Sequence, residues 1–599
     1  MATNDIESVN PETAPLIETA RHLSYGSEPL VRAQNIGALL ADRAAATPDK
    51  PFLAYYEETG RVCEYTYAEF YAAVRALSAR LVGELGLRPG DRVATLRGND
   101  PYTVAIYFAA WSAGLAVAPI NGGEDDERVA FILRNSEARV LFASGANAER
   151  AARLAGDDLP VLTTRAENGR AEYALEAVPQ ATRPILPGSI RPTGQASPGA
   201  PTPAEEPSAP VEPAPRPFAP DRALPATTEA LLVYTSGTTG APKGVVLDQA
   251  NLLTDAHSIA EWHRFGPNDR AMCVLPIHHV NGTVVTLMTP LYTGGSVVLH
   301  RKFHVSTFWR TLAEERCTWV SVVPTLLAFL CERGESLSQY DLSAFRHIIC
   351  GAGPLTTELA HRFDAAFGVR VVHGYGLSET TCYSCFLPID LDAPAYRHWM
   401  FDQGFPSIGC PVSANEMAIH DPGGVPVAEG ERGEIVARGP NVMKYYFKRP
   451  DANADTFADG WFRSGDEGFF RRGEDGRDYY FITGRLKELI IRGGINYSPF
   501  DIDEVLSAIP GVQAAMAVGF DNAVYGEEIG AYVQRAPGSQ VTADEILAAC
   551  REKLPFAKSP KVVLFGDEFP VTSTGKYQRG RLIPLFAAWR DTQFRDERR

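Results

Sequence analysis

Residues 234–245 are Tyr234-Thr235-Ser236-Gly237-Thr238-Thr239-Gly240-Ala241-Pro242-Lys243-Gly244-Val245. An apolar run at 230–234 predicts a buried strand, so the chain passes from a strand into a loop with four aliphatic hydroxyls and three glycines. Glycine lets the backbone approach a ligand closely, and successive N–H groups in such a loop form an anion-binding nest. Lys243 adds a mobile positive charge suited to polyphosphate. The G-x-x-x-x-G-K-[ST] spacing of P-loop NTPases is absent, so the sequence predicts a different kind of phosphate loop.

Strands and helices alternate on the N-terminal side of this loop. Residues 92–96 and 139–143 have the composition of strands, and a helical pattern at 102–113 lies between them. This alternation is typical of a parallel α/β sheet. The pattern continues to about residue 482, and a smaller unit follows. Its predicted elements are two strands and one helix, at 514–518, 531–534 and 543–553.

Residues 373–380, His373-Gly374-Tyr375-Gly376-Leu377-Ser378-Glu379-Thr380, combine an aromatic ring, a hydroxyl and a carboxylate. Glu379 offers the oxygen ligand that Mg²⁺ prefers when it bridges phosphates. Ser378 is placed to donate to a phosphate, and Tyr375 offers an aromatic face for a base. On its own this pattern is a weak signal, because a turn with one glutamate at the end of a strand is common.

Other polar segments follow in order along the chain. Gly351-Ala352-Gly353 comes after a predicted strand at 346–350, and Asp466 ends the segment Trp461-Phe462-Arg463-Ser464-Gly465-Asp466. A carboxylate such as that of Asp466 can accept hydrogen bonds from the two vicinal hydroxyls of ribose. Three more segments complete the set: Ile482-Thr483-Gly484-Arg485-Leu486-Lys487-Glu488-Leu489-Ile490, Arg492-Gly493-Gly494-Ile495-Asn496, and Pro570-Val571-Thr572-Ser573-Thr574-Gly575-Lys576.

Together these segments resemble the motifs of the adenylate-forming superfamily, which comprises acyl-CoA synthetases, peptide-synthetase adenylation domains and firefly-type luciferases. The phosphate loop matches S-G-T-T-G-x-P-K-G, and the others match Y-G-x-[ST]-E, [WY]-x-x-[ST]-G-D, G-R-x-[KD]-E-x-I and P-x-T-x-x-G-K in the same order. The resemblance covers about residues 35–585 and is closest to acyl- or aryl-CoA ligases.

The resemblance implies an α/β fold. A large N-terminal domain of stacked α/β subdomains with a small β-barrel is expected at 31–484, followed by a small, mobile α+β C-terminal domain at 485–599. Residues 1–30 are expected to be a loose arm. Residues 184–220 are rich in proline and are expected to be a disordered, inert insertion, with protein docking as the alternative.

The resemblance also implies ATP and Mg²⁺ as cofactors and CoA as co-substrate. The nucleotide-binding residues that it implies are Thr235, Ser236, Gly237, Thr238, Thr239, Gly240, Lys243, Gly351, Ala352, Gly353, Tyr375, Gly376, Ser378, Asp466 and Arg485. The residues that it implies in catalysis are Lys576, His279, Glu379 and Lys487, with Glu379 as the metal ligand. Lys487 is the expected hinge, and Lys576 is expected to bridge the attacking carboxylate and the α-phosphate.

The segment Leu275-Pro276-Ile277-His278-His279-Val280-Asn281-Gly282 resembles P-L-F-H-x-x-G of acyl- and aryl-CoA ligases. His279 matches the histidine at the carboxylate end of the acyl pocket, and His278 departs from the usual aromatic residue. Expected pocket walls are 280–289, 350–353, 372–375 and 383–386. They mix small, aromatic and thiol side chains, which are compatible with a medium-chain acyl or an aryl acid. Arg492, Lys558 and Lys561 are candidates for contact with the CoA phosphates or plain surface charges.

Composition limits the function classes. A net charge of -16 argues against non-specific nucleic-acid binding, because no basic surplus exists to neutralise phosphates. No apolar run is long enough to span a bilayer, and no secretory signal is apparent at the N-terminus. The nine cysteines lack a framework spacing, which favours reduced thiols in the cytoplasm. A monomer and a homodimer are both compatible with the sequence.

Three alternatives to a CoA ligase remain open. A stand-alone ligase that loads a carrier protein uses the same thiol chemistry. A relative that activates nitrite with ATP and diazotises an aryl amine is compatible with the doubled histidine and the Cys382/Cys385 wall. A non-catalytic scaffold is disfavoured, because a binding module has no need of Lys243, Glu379 and Asp466 together.

Overall fold

The computed structural model describes residues 8–24, 26, 31, 33–164, 175–177, 223–235, 242–571 and 577–595. Its largest sheet has nine strands, and the six central ones run parallel. Strands of this kind are covered on both faces, which explains why every residue of a strand such as Ser296–His300 is buried. In spatial order the strands are Cys410–Pro411, Cys385–Phe386, Val371–Tyr375, His347–Cys350, Trp319–Val322, Arg270–Cys273, Ser296–His300, Pro51–Glu57 and Gly60–Thr66.

A second sheet has eight strands and carries the hairpin that frames the phosphate loop. Its central five strands are parallel, and antiparallel strands flank them on both sides. In spatial order they are Tyr445–Phe447, Lys243–Asp248, Glu229–Thr235, Ala116–Ile120, Arg92–Leu96, Ala138–Ala143, Val161–Thr164 and Leu175–Ala177. The parallel sheet that the alternating pattern predicts is confirmed.

Helices cover these sheets, and their first residues follow local capping signals. Asp100 accepts a hydrogen bond from the Thr103 N–H, and Thr66 and Glu69 form a capping box. The helices are Ala14–Ala20, Ile36–Ala46, Tyr67–Gly83, Pro101–Ser112, Asp126–Asn135, Ala148–Ala155, Gln249–His263, Thr289–Thr293, Phe308–Glu314, Pro324–Arg333, Thr357–Phe367, Ala393–Phe401, Pro450–Thr456, Pro499–Ser507 and Ala543–Lys553. Across the described ranges, none of them has the length and apolar character that a membrane span requires.

The expected small barrel corresponds to a four-stranded antiparallel sheet at the end of the larger part of the chain. Its strands are Glu416–His420, Gly433–Arg438, Phe462–Arg472 and Asp478–Arg485. The last two strands pair Asp466 directly with Arg485. Two residues that lie far apart in the nucleotide motifs therefore become cross-strand neighbours.

The C-terminal part forms a small α+β unit around its own core. Its strands are Ile490–Arg492, Ile495–Tyr497, Val512–Asn522, Gly526–Arg535 and Val562–Phe565. Buried apolar residues between Ile490 and Phe586 form two clusters separate from the core of the larger part, which runs from Ile17 to Phe481. The small unit contacts the larger part through polar groups, including an ion pair between Arg432 and Asp501 at 2.8 Å.

The N-terminal residues differ from the expectation of a loose arm. Residues 8–24 include the helix Ala14–Ala20, which buries Ile17 and Ala20 against the larger part. Arg21 pairs with the fully buried carboxylate of Asp248 at 2.6 Å. This helix has only seven residues and few of them are apolar, so the sequence alone does not predict that it packs against the larger part. The proline-rich segment 184–220 lies outside the described residues.

Candidate active site

An antiparallel hairpin holds both ends of the phosphate loop. Thr235 ends the strand Glu229–Thr235 and pairs with Lys243, which begins the strand Lys243–Asp248. Gly244 packs closely against the neighbouring strand, since a Cβ at this position would lie 2.8 Å from the Leu232 side chain. The predicted binding residues Ser236, Gly237, Thr238, Thr239 and Gly240 lie outside the described residues.

Lys243 and Glu379 both contact Tyr446. The Lys243 ammonium lies 4.6 Å from the ring centroid of Tyr446, a cation–π distance. The Tyr446 hydroxyl donates to Oε1 of Glu379 at 2.8 Å. Burial lowers the pKa of Lys243, and the positive charges of Lys487 and Arg449 lower it further. Lys487, the expected hinge residue, therefore lies within electrostatic range of Lys243.

Tyr375, Asp466 and Arg485 form a second cluster. Tyr375 donates its hydroxyl proton to Oδ2 of Asp466 at 2.8 Å, and Nε of Arg485 lies 3.4 Å from Oδ1. The carboxylate of Asp466 raises the pKa of Arg485, and burial raises the pKa of Tyr375 well above its usual value. Glu379 also contributes to the raised pKa of Arg485. Tyr375 ends the strand Val371–Tyr375 and Glu379 follows four residues later, so the two clusters lie next to each other.

Glycines let the walls of this site approach closely. A Cβ at Gly376 would lie 1.9 Å from the carbonyl oxygen of Cys382, so only glycine fits there. Ala352, between Gly351 and Gly353, has φ of 63°, the left-handed region that disfavours side chains. Ser378 begins a short 3₁₀ turn that also carries Glu379. These residues lie where the strands His347–Cys350 and Val371–Tyr375 end, side by side in the large sheet.

The paired histidines precede a π-helix, Asn281–Met288. Their ring centroids are 4.6 Å apart. Nε2 of His278 is buried without a hydrogen-bond partner among the described residues, and burial lowers the pKa of His278 to about 4. The backbone carbonyl of His279 accepts a hydrogen bond from the Thr283 N–H at 3.0 Å. This bond ties His279 to the first turn of the π-helix. His278 is therefore a neutral ring in this arrangement.

The basic residues of the C-terminal unit are not the open surface charges that the sequence suggested. Arg492 and Lys561 are both buried and pair with the fully buried Glu528, at 2.6 Å and 3.4 Å respectively. Lys558 is ion-paired with Asp501 at 2.5 Å. All three have structural partners, which weakens the expectation that they meet the CoA phosphates. Lys576 lies outside the described residues.

Sequence reasoning missed Tyr446 and Arg449, because neither belongs to a motif. Tyr446 lies in the strand Tyr445–Phe447, which pairs with Lys243–Asp248. That pairing alone brings its ring under Lys243. No local signal in the sequence around residue 446 identifies it.

Comparison with known proteins gives two family matches and many relatives. The model described as AMP-binding enzyme matches residues 40–447, and the AMP-binding enzyme C-terminal domain matches 501–576. A sulfoacetate–CoA ligase from Cupriavidus necator is 35% identical over 552 residues, which cover 92% of this chain and 97% of the relative. A feruloyl-CoA synthase from Amycolatopsis is 33% identical over 87% of this chain and 94% of that protein.

A solved structure supports the same fold. The crystal structure of ATP-bound MatB from Rhodopseudomonas palustris superposes with a TM-score of 0.76 at 26% identity. The match covers 92% of this chain and 99% of MatB. The similarity therefore extends over both the larger part and the C-terminal unit.

Proposed function

This chain belongs to the AMP-binding enzyme family, and on that premise we propose that it activates a carboxylic acid with ATP and transfers the acyl group to CoA. The enzyme is an AMP-forming ligase, in keeping with relatives that are named as CoA ligases. One observation carries the assignment to this site. Tyr375, which donates to Asp466, and Glu379, which accepts from Tyr446, lie four residues apart where the strand Val371–Tyr375 ends, and this places the two polar clusters side by side.

We assign the ribose of ATP to Asp466 and Arg485. The carboxylate accepts from vicinal hydroxyls, and Tyr375 holds it in place. The β- and γ-phosphates are assigned to the loop from Thr235 to Gly240 and to Lys243. Lys243 supports this assignment because it lies over the ring of Tyr446, whose hydroxyl donates to Glu379. The positive charges of Lys487 and Arg449 also act on Lys243 and lower its pKa.

Glu379 fits a Mg²⁺ ion. Its carboxylate is buried, and Tyr446 fixes one of its oxygens. The residues that the structure describes contain no cluster of three or more metal-ligating side chains, but Mg²⁺ usually takes one or two protein carboxylates and completes its shell with water and phosphate oxygens. Bound there, the ion would neutralise charge on the phosphate oxygens.

The proposed reaction has two steps. First, a carboxylate oxygen of the acid attacks the α-phosphorus of ATP, the bond to the β-phosphate oxygen breaks, and pyrophosphate leaves. Second, the CoA thiol attacks the carbonyl carbon of the acyl-adenylate, and AMP leaves as the thiol proton passes to solvent. The protein's part is positioning and charge stabilisation. We assign the first step's transition state to Lys576, and His279 to the carboxylate end of the pocket.

We propose that residues 31–484 and 485–599 act as two domains with Lys487 as the hinge. The separate cores on either side of residues 482–489 support this division. A hinge needs only a few backbone positions that change φ and ψ. Rotation there would move Lys576 away after the first step.

For the acid, the acceptor and the cellular location we propose only a general class. A carboxylic acid of modest size suits the small and aromatic walls, with medium-chain acyl and aryl acids as the classes that the sequence predicts. Free CoA is the proposed acceptor, with a carrier protein as the alternative. A cytoplasmic location is supported by the nine cysteines without framework spacing. Both a monomer and a homodimer are compatible with this function.

The test is acid-dependent exchange of labelled pyrophosphate into ATP, followed by thioester formation on addition of CoA. Exchange with a carboxylic acid and a thioester with free CoA are the expected results. Exchange with no thioester unless a carrier protein is supplied would change the acceptor. Turnover only with nitrite and an aryl amine would overturn the carboxylate assignment.

A further inference from the structure

Tyr383 fills the space behind two glycines of the expected acyl pocket. A Cβ at Gly351 would lie 2.7 Å from its hydroxyl oxygen, and a Cβ at Gly374 would lie 2.9 Å from its ring. Tyr383 is only 2% exposed. The room that two missing side chains leave is therefore taken by an aromatic ring and does not form a channel.

The buried end of this ring is polar. Nδ2 of Asn281 donates to the Tyr383 hydroxyl at 3.3 Å, and Ser321 donates to Oδ1 of Asn281 at 2.7 Å. Ser321 is fully buried, and Asn281 is the most exposed of the three at 7%. An amide nitrogen carries two hydrogens, and Nδ2 of Asn281 has one acceptor among the described residues. The second N–H of Asn281 therefore has no acceptor among the described residues and can donate to a ligand.

Tyr383 is held in place from its backbone as well. Its N–H donates to Oδ2 of Asp255 at 3.4 Å, and its carbonyl oxygen accepts from Asn441 at 3.2 Å. Asn441 also donates to Oδ1 of Asp255 at 3.1 Å, and both residues are fully buried. Such a paired support makes rearrangement of the ring costly, because it would leave buried polar groups without partners.

The polar network lies close to the carboxylate end of the pocket. Asn281 is two residues from His279, so their Cα atoms are at most about 7 Å apart. Asn281 begins the π-helix, and Gly282 next to it packs so tightly that a Cβ would lie 2.4 Å from the Pro276 carbonyl oxygen. The helix start is therefore fixed against the segment that carries His279.

We propose that Asn281, Tyr383 and Ser321 form the floor of the acyl pocket and select a short acid with an oxygen acceptor beyond its carboxylate. This inference rests on the proposed function. Tyr383 limits the length of the acid, and the Asn281 amide donates to the far oxygen. A medium-chain acyl or aryl acid would place apolar atoms against the Asn281 amide and leave its second N–H without an acceptor, which is unfavourable. The expected acids are therefore smaller and more polar than the medium-chain acyl and aryl acids that the sequence predicts.

A matched set of acids tests this inference. Glycolate and propionate have nearly the same shape and differ in a hydroxyl against a methyl group, malonate adds a second carboxylate, and hexanoate and benzoate are the larger apolar probes. We expect kcat/KM for AMP release with CoA to be highest for glycolate or malonate. Each should exceed propionate by about 10-fold, the worth of roughly one buried hydrogen bond.

Two variants separate the roles of the floor residues. Asn281→Leu should bring glycolate and propionate to within about threefold of each other, since the donor is lost and the volume is kept. Tyr383→Ala should raise hexanoate relative to propionate by about 10-fold, because space opens behind Gly351. Tyr383→Phe keeps the ring and serves as the control, with hexanoate expected to stay poor. ATP binding by each variant, measured by calorimetry, verifies that it is folded.

The outcomes distinguish this inference from the proposed function. A wild-type enzyme that prefers hexanoate or benzoate to every short acid would overturn the inference and leave the CoA ligase intact. An unchanged glycolate-to-propionate ratio in Asn281→Leu would do the same. Turnover with none of the carboxylic acids would overturn both.

Discussion

Two different groups orient the carboxylate of Asp466 in the proposed nucleotide site. Tyr375 donates to one oxygen, and Arg485 approaches the other. The side chain is almost completely buried. A ligand that forms two hydrogen bonds to it would meet a carboxylate that is already in place, at little entropic cost.

Asp466→Asn should weaken ATP binding more than it slows the chemical step. The amide accepts through one oxygen only and turns a donor toward either Arg485 or the ribose. We expect KM for ATP to rise by about 10- to 100-fold with a smaller fall in kcat, because a hydrogen bond to a charged group contributes about 1.5–3 kcal/mol. Initial rates across ATP concentrations measure this. Tyr375→Phe, which removes one orienting bond, should show a smaller rise; equal KM values in Asp466→Asn and wild type would contradict the ribose assignment.

Tyr446 contributes two separable interactions. Tyr446→Phe keeps the ring near Lys243 and removes the hydrogen bond to Glu379. The concentration of Mg²⁺ at half-maximal rate should rise by about 5- to 10-fold, since a buried carboxylate loses a fixed donor. Tyr446→Leu removes the ring as well and should also raise KM for ATP. If Tyr446→Phe left the Mg²⁺ requirement unchanged, the hydrogen bond from Tyr446 would have no part in holding Glu379 for the metal.

At this scale the sequence predicts motif residues well and their partners poorly. Glu379, Asp466 and Arg485 were identified from motifs, and the fold brings them together. Tyr446 is 67 residues from Glu379 and meets it only through strand pairing. Asn281 and Tyr383 lay within the expected walls, but their hydrogen bond joins residues 102 positions apart and is not visible in either segment.

Among the elements, the helix Pro499–Ser507 connects the two parts of the chain through a hydrogen bond to a helix of the larger part. Glu504 on this helix accepts a hydrogen bond from the backbone N–H of Thr357 at 3.1 Å. Thr357 is the first residue of the helix Thr357–Phe367, whose N-terminus favours a carboxylate. Burial nevertheless raises the pKa of Glu504 to about 8, with Asp503 and Asp501 as further contributors.

This raised pKa predicts a pH-dependent contact. Between about pH 4.5 and 8 the folded protein holds a proton on Glu504 that the unfolded chain has lost, so stability falls as pH rises through that window. The slope is at most about 1.4 kcal/mol per pH unit. Glu504→Gln cannot titrate and should lack this fall.

Thermal unfolding of wild type and Glu504→Gln from pH 6 to 9 measures the effect. The stability of wild type relative to the variant should decrease as pH rises toward 8 and then level off. Parallel curves for the two proteins would contradict the raised pKa.

Elements with strong local patterns were predicted closely, and docked elements were not. The strand Arg92–Leu96 and the helix Ala543–Lys553 match their predicted ranges. The helix Ala14–Ala20 was missed because its seven residues give too short a pattern, and only contact with the larger part explains its burial. Local sequence therefore specifies an element's type better than its packing.

For the whole molecule, the two-step reaction predicts that Lys576 acts in only one step. Lys576→Ala should slow adenylate formation by about 10²–10³-fold, by analogy with the loss of one preorganised donor. Thioester formation from preformed acyl-adenylate should be unaffected. Single-turnover rates of each half-reaction measure this, with Lys553→Ala, on the exposed end of a helix, as a surface control. Loss of both steps together would contradict the separation.

The fold class was predictable because five ordered motifs carry the resemblance to a superfamily with a large α/β domain and a small C-terminal unit. The arrangement of charges in that unit was not. From the sequence, Arg492 and Lys561 could be surface charges. In the structure both are buried and form ion pairs with the buried carboxylate of Glu528. The partners of a buried ion pair come from distant parts of the sequence, so a local sequence pattern cannot predict it.

The most direct test of the account uses an acid labelled with ¹⁸O in both carboxylate oxygens. If the acid attacks the α-phosphorus and CoA then attacks the carbonyl carbon, one ¹⁸O atom remains on AMP. Mass spectrometry of AMP from turnover with CoA should therefore show one ¹⁸O per molecule formed. AMP without the label, with ¹⁸O in pyrophosphate or phosphate instead, would contradict adenylate formation at this site.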